Sequence, residues 1–112
     1  MELVVTKPEN ATVVAISVDI DAKSAPDLQA QILPLVAPDR ALVLDVSRVN
    51  YMSSAGLRML LSVYRQAARS NARLILSGLS ADIREVMSAT GFLDQFTIYD
   101  SVDAALGALD EG

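Results

Sequence analysis

The stretch Ala41-Leu-Val-Leu-Asp45-Val-Ser-Arg-Val-Asn50-Tyr-Met-Ser-Ser-Ala55-Gly-Leu-Arg-Met-Leu60-Leu61 decides the fold, because its hydrophobic pattern changes period midway. Ala41 to Val46 is an apolar run interrupted only by Asp45. A run of this length bounded by polar residues suits a strand buried on both faces. Leu57, Leu60, Leu61, Tyr64 and Ala68 then recur at helical spacing, which predicts a helix beginning near Ser53-Ser54-Ala55-Gly56. Strand, loop and helix in that order open a crossover connection within a sheet.

Outward from this stretch the same alternation continues. Upstream, Leu3–Thr6 and Thr12–Val18 are rich in β-branched residues and flank the turn Pro8-Glu9-Asn10, which predicts a hairpin. Ser24-Ala-Pro-Asp27 resembles a capping box with Asp in place of Glu. Leu28, Ile32, Leu35 and Val36 give the helix that follows one apolar face, which Pro34 is expected to kink or shorten. Downstream, Arg73–Leu76 predicts a short buried strand. Ser80 caps a helix from Ala81 to about Ala89, stopped at Gly91. Phe96–Tyr99 is a last strand, and Asp100 or Ser101 caps a final helix through Leu109, beyond which the end is expected to fray. The order is ββαβαβαβα: an α/β domain over residues 1–112 with a mixed, partly parallel sheet of about five strands and about four helices.

Composition excludes much chemistry. The 112 residues contain no His, Cys or Trp. There is no imidazole base, no thiol nucleophile, no Cys/His metal cluster and no Ser-His-Asp triad. The carboxylates show no metal or glycosidase arrangement, so no cofactor and no metal are expected. A hydrolase built on Ser54 would have only Lys7 and Lys23 as amine bases. Nine Lys and Arg against 14 Asp and Glu give a net charge of -5, which disfavours nucleic acid and anionic membranes as partners. Apolar residues are 52% of the chain and aromatics 4%, so the core is aliphatic, with the four methionines as filler. No apolar run approaches the ~20 residues of a membrane span. Met1–Asn10 lacks the features of a signal peptide, and a cytoplasmic location is expected.

Function is expected where the predicted strand ends near Asp45 and the predicted helix begins, because α/β folds place ligands at such ends. A helix N-terminus offers unpaired N–H groups and the positive end of its dipole. Three readings of Ser53 and Ser54 follow. One of them caps the helix; or the loop binds a phosphate, for which one Gly and no Lys make a poor cradle; or one serine is itself phosphorylated, its charge tolerated by the dipole. The residues alone leave these open.

Asp45-x-Ser-x-Val-x-Tyr-Met-Ser-Ser-Ala-Gly-Leu-Arg-x-Leu-Leu61 resembles the signature of the STAS domain, shared by sulfate transporters and anti-sigma-factor antagonists. Val18-Asp-Ile-Asp21 before a helix, and the late Met87-Ser-Ala-Thr-Gly-Phe-Leu93, are similar to further parts of that family, so the likeness spans almost the whole chain. A free-standing chain of this length resembles the bacterial anti-sigma-factor antagonists. The resemblance implies that Ser54 is the phosphorylatable serine, with Ser53 the alternative. Ser53 stands where the family often has Asp, and Ala55 where it has a second serine.

It further implies partner switching. The unphosphorylated form binds an anti-sigma factor that is also an ATP/Mg-dependent serine kinase, and so frees a sigma factor. Phosphorylation of Ser54 inactivates the antagonist, and a PP2C-type phosphatase restores it. The chain is then a binder and substrate, not an enzyme, and a monomer when free. Asp21, Lys23, Ser24, Tyr51, Met52, Ser53, Ser54, Ala55, Gly56 and Arg58 are the candidate partner-binding residues, with Asp45 in support. Of Tyr51 and Met52, one is expected in the core and the other exposed; Leu57 is expected in the core and Arg58 at a rim. The alternative is a STAS accessory subunit of an ABC-type lipid transporter, which a pull-down of an ABC ATPase in place of a histidine-kinase-like ATPase would reveal.

Overall fold

The computed structural model describes residues 3–8 and 10–111. Its elements are β1 (Leu3–Thr6), β2 (Ala11–Ile16), α1 (Ala25–Ile32), β3 (Ala41–Asp45), α2 (Ser54–Arg69), β4 (Arg73–Ser77), α3 (Ala81–Ala89), β5 (Thr97–Tyr99) and α4 (Val102–Glu111). Five strands form one sheet in the order β1-β2-β3-β4-β5; β1 runs antiparallel to β2 and the other neighbours are parallel. The expected element order and mixed sheet are therefore present. Glu9 of the predicted turn and Gly112 of the predicted frayed end lie outside the described residues.

Alternation across β3 explains why its sequence is apolar throughout. Leu42 and Leu44 enter the large core that α1, α2 and α3 cover, with Leu28, Ile32, Leu60, Val63, Ile83 and Met87 among its members. Ala41 and Val43 enter a smaller core on the other face, closed by Ala105 of α4. Each crossover steps one strand in the same direction along the sheet, so right-handed connections place α1, α2 and α3 on one face. The helix after β5 is left to cover the other.

Several boundaries depart from expectation for identifiable reasons. β2 ends at Ile16, not Val18, because its ladder partners run out: Ala15 pairs with Asp45, the last residue of β3, and Ile16 with Leu3. α1 ends at Ile32, and Leu33–Leu35 tightens into a 3-10 turn with Pro34 in it, which is the shortening expected of a proline without an N–H. The buried stripe of α2 is Gly56, Leu57, Met59, Leu60, Val63 and Ala67. Ala68, assigned to the stripe from sequence, is exposed, while Leu61 and Tyr64 are half-buried at its edge, Tyr64 against the Phe96 ring at 5.5 Å. A further 3-10 turn, Leu93–Gln95, precedes β5. Ser101, rather than Asp100, caps α4, accepting the Ala104 N–H at 3.0 Å, and α4 continues to Glu111. No described helix is long and apolar enough to cross a membrane.

Candidate functional site

Two loops meet at the start of α2. Ile20, in the loop after β2, forms an isolated parallel bridge with Met52. The Ile20 N–H donates to the Tyr51 carbonyl at 2.9 Å, and the Ser53 N–H donates to the Ile20 carbonyl at 2.8 Å. Both Ile20 and Met52 are buried, so the bridge is anchored in the core. It carries Asp21–Ser24 alongside Ser53–Gly56. Ile20 lies inside the Val18-Asp-Ile-Asp21 stretch that carries part of the family resemblance, but its bridge to Met52 has no signature in the sequence, because one isoleucine in a loop has no periodic pattern.

Gly56 makes the close approach possible. A Cβ there would lie 2.7 Å from Met52 Cγ and 2.8 Å from the Ile20 carbonyl oxygen, well inside contact distance. The glycine is required by proximity and not by a left-handed backbone.

The two serines differ in what they do. Ser53 is the N-cap of α2, with extended φ and ψ of -84° and 177°, and its hydroxyl accepts the Gly56 N–H at 3.4 Å. It is half-buried. Ser54 is the first helical residue, exposed, and its hydroxyl makes no hydrogen bond among the described residues. The capping role thus falls to Ser53 and leaves the Ser54 Oγ accessible at the positive end of a 16-residue helix.

Ser24 does not make the expected capping box. Its hydroxyl accepts the Asp21 N–H at 3.0 Å and donates to the Asp19 carbonyl at 2.7 Å. Its backbone is already helical, which turns the side chain away from the N–H groups of the first turn. Asp27, the expected box partner, instead accepts from Gln31 Nε2 at 2.9 Å. Asp21 ties the turn together: its Oδ1 accepts the Lys23 N–H at 2.9 Å and the Ser24 N–H at 3.0 Å. The Ser24 N–H first, and that of Lys23 next, hold the Asp21 carboxyl below its ordinary range.

The remaining candidates divide. Tyr51 is 55% exposed, whereas Met52 is 4% exposed, so Tyr51 is the surface member of the pair. Met52 and Gly56, both named as partner-binding from sequence, are buried and shape the site from beneath. Leu57 is in the core as expected. Ala55 is half-buried and Lys23 and Arg58 are exposed. Ala55 and Arg58 line a groove of about 530 Å³ between α1 and α2, opposite Ala25, Pro26 and Leu33.

Asp45 is not brought to this group. It follows the side of β3 that faces α4, accepts the Ser47 N–H at 3.0 Å, and lines a separate small cleft with Gly78, Asp100, Ser101 and Asp103. Strand alternation after the buried run accounts for this, since Asp45 shares a face with Val43. Among the described residues no group of three or more carboxylates could hold a metal ion.

Sheet order, the helix-start serines and the glycine beneath them coincide with a match of residues 2–105 to the STAS domain. The chain belongs to the STAS domain family. This STAS domain is 33% identical over 109 residues to BtrV of Bordetella bronchiseptica, a protein assigned as an anti-sigma factor antagonist, with 96% of this chain and 94% of that one covered. It is 30% identical over 90 residues to the anti-sigma-B factor antagonist of Bacillus subtilis, covering 80% and 83% of the two chains. An anti-sigma factor antagonist from Mycobacterium paratuberculosis, a solved structure, superposes with a TM-score of 0.83 at 30% identity, covering 95% of this chain and 91% of that one.

Proposed function

We propose that this STAS domain is an anti-sigma-factor antagonist controlled by phosphorylation of Ser54. The observation that carries the reading is the division of labour at the start of α2: Ser53 is engaged as the cap, while the Ser54 hydroxyl is exposed and makes no hydrogen bond among the described residues. The names of the relatives support the partner class. In the unmodified state the surface around Tyr51, Ser53, Ser54, Ala55 and Arg58, with Asp21, Lys23 and Ser24 beside it, engages an anti-sigma factor that is also a serine kinase, in the cytoplasm.

The phosphoryl transfer follows from what the chain lacks. The Ser54 Oγ attacks the γ-phosphorus of ATP; the new O–P bond forms as the bond to the bridging oxygen of ADP breaks. The hydroxyl proton leaves to a base. This chain has no His, so the kinase supplies the base and the Mg²⁺. A PP2C-type phosphatase hydrolyses the ester and returns the hydroxyl.

Phosphate switches binding by local electrostatics. Phosphoserine adds about -1.5 to -2 charges at pH 7. At the first residue of α2 the free protein tolerates that charge through the helix dipole, without refolding. Against a partner surface the same dianion must be desolvated without prepared counter-charges. A cost of about 3 kcal/mol weakens binding by about a hundredfold.

Incubation with the cognate kinase and ATP–Mg tests the site. One phosphate is expected, mapped by mass spectrometry to Ser54. Modification of Ser54→Ala to the same extent as the wild type would overturn the assignment.

A further inference from the structure

Resting on the reading that Ser54 is the modified residue, we propose that Arg58 reads the modification. The phosphate on Ser54 captures the Arg58 guanidinium, which in the unmodified chain is the cation offered to the partner at the α1–α2 groove.

Three observations converge on Arg58. It stands four residues after Ser54 on α2, so the two share a helix face with Cβ atoms about 5–6 Å apart. Helical side chains lean toward the N-terminus, which carries the Arg58 side chain back over the turn that begins at Ser54. Both residues are exposed, and Arg58 makes no hydrogen bond or ion pair among the described residues, so no existing contact must break. Finally, Arg58 is the only charged side chain among the described residues lining the groove, whose walls are otherwise mostly small apolar side chains such as Ala25, Pro26 and Ala55.

A guanidinium presents a planar fork that binds phosphate through two parallel hydrogen bonds. The modified chain therefore neutralises part of its own new charge within one helical turn. The partner loses twice in one event: it meets a dianion, and it no longer finds the cation at the groove. Lys23 is a second exposed cation, held in the loop bridged to Ser53, and serves as the control.

The test installs phosphoserine at position 54 during translation, which needs no kinase, and follows its phosphate by ³¹P NMR across pH. The second phosphate ionisation, ordinarily near pH 6, is expected a few tenths of a unit lower in the wild type than in Arg58→Gln. Arg58→Lys restores part of the shift, and Lys23→Gln leaves it nearly unchanged. Superimposable titrations of the wild type and Arg58→Gln would overturn the role of Arg58, as would a shift that depends on Lys23 instead. Binding of the cognate anti-sigma factor separates this inference from the functional reading. Equal affinities of modified and unmodified wild type would contradict the function of Ser54 whatever the ³¹P result. If both hold, the affinity gap between modified and unmodified chains narrows in Arg58→Gln.

Discussion

At the residue scale, small side chains set the site. Gly56 lets the Ile20–Met52 bridge press against α2, so any side chain there must displace Ile20 backbone. Gly56→Ala is expected to lower stability by about 1–3 kcal/mol, the usual cost of overpacking, measured by denaturant unfolding. An unchanged midpoint would mean that the bridge yields. Ser77 poses the opposite case. Its Oγ is fully buried in β4 with no hydrogen-bond partner among the described residues. Removing an unpaired buried hydroxyl relieves its desolvation cost, so Ser77→Ala is expected to be neutral or stabilising. The Asp21 carboxyl, held below its ordinary value of 3.8, contributes stability that is complete above that value. The contribution disappears as pH falls through the depressed native value. The stability difference between wild type and Asp21→Asn should accordingly be constant near neutrality and shrink only in acid. None of these three roles had a signature in sequence. Steric proximity of Gly56 to Ile20, the orphaned hydroxyl of Ser77 and the backbone contacts of Asp21 all depend on residues far apart, or on a turn whose geometry local composition does not specify.

At the element scale, pattern was legible where one period persisted. β3 and β4 were readable because parallel strands covered on both faces must be apolar throughout. α2 was readable in extent, yet its stripe was misplaced by one residue at Ala67 and Ala68, since alanine is compatible with either face. The capping box at Ser24 failed for a related reason: the right residue types at the right spacing were recruited by Asp21 and Asp19 instead. At the other end of the sheet, Arg40 fastens the hairpin to β3 by donating to the Pro8 and Ala11 carbonyls and to Thr12 Oγ1, at 3.0, 2.6 and 3.0 Å. Thr12 is 2% exposed and would be left short of a partner, so Arg40→Ala is expected to cost about 2 kcal/mol, read from thermal unfolding.

At the scale of the whole molecule, the two faces of the sheet are unequal. Three helices share the large aliphatic core, and α4 closes the smaller one through Ala105. Amide exchange should therefore be slowest in β3, β4 and the buried turns of α2, and faster in α4. The consequence for function is a rigid platform beneath Ser54: α2 is held from below by the core and at its start by the Ile20 bridge. Under the proposed function, a charge added there is expected to act on whatever docks and not on the fold. The central claim is tested most directly by calorimetric titration of the cognate anti-sigma factor with two forms of the chain, unmodified and carrying phosphoserine at position 54. The account predicts affinity about a hundredfold weaker for the phosphorylated form, with a melting temperature nearly unchanged. Equal affinities, or a loss of binding that simply tracks unfolding, would contradict it.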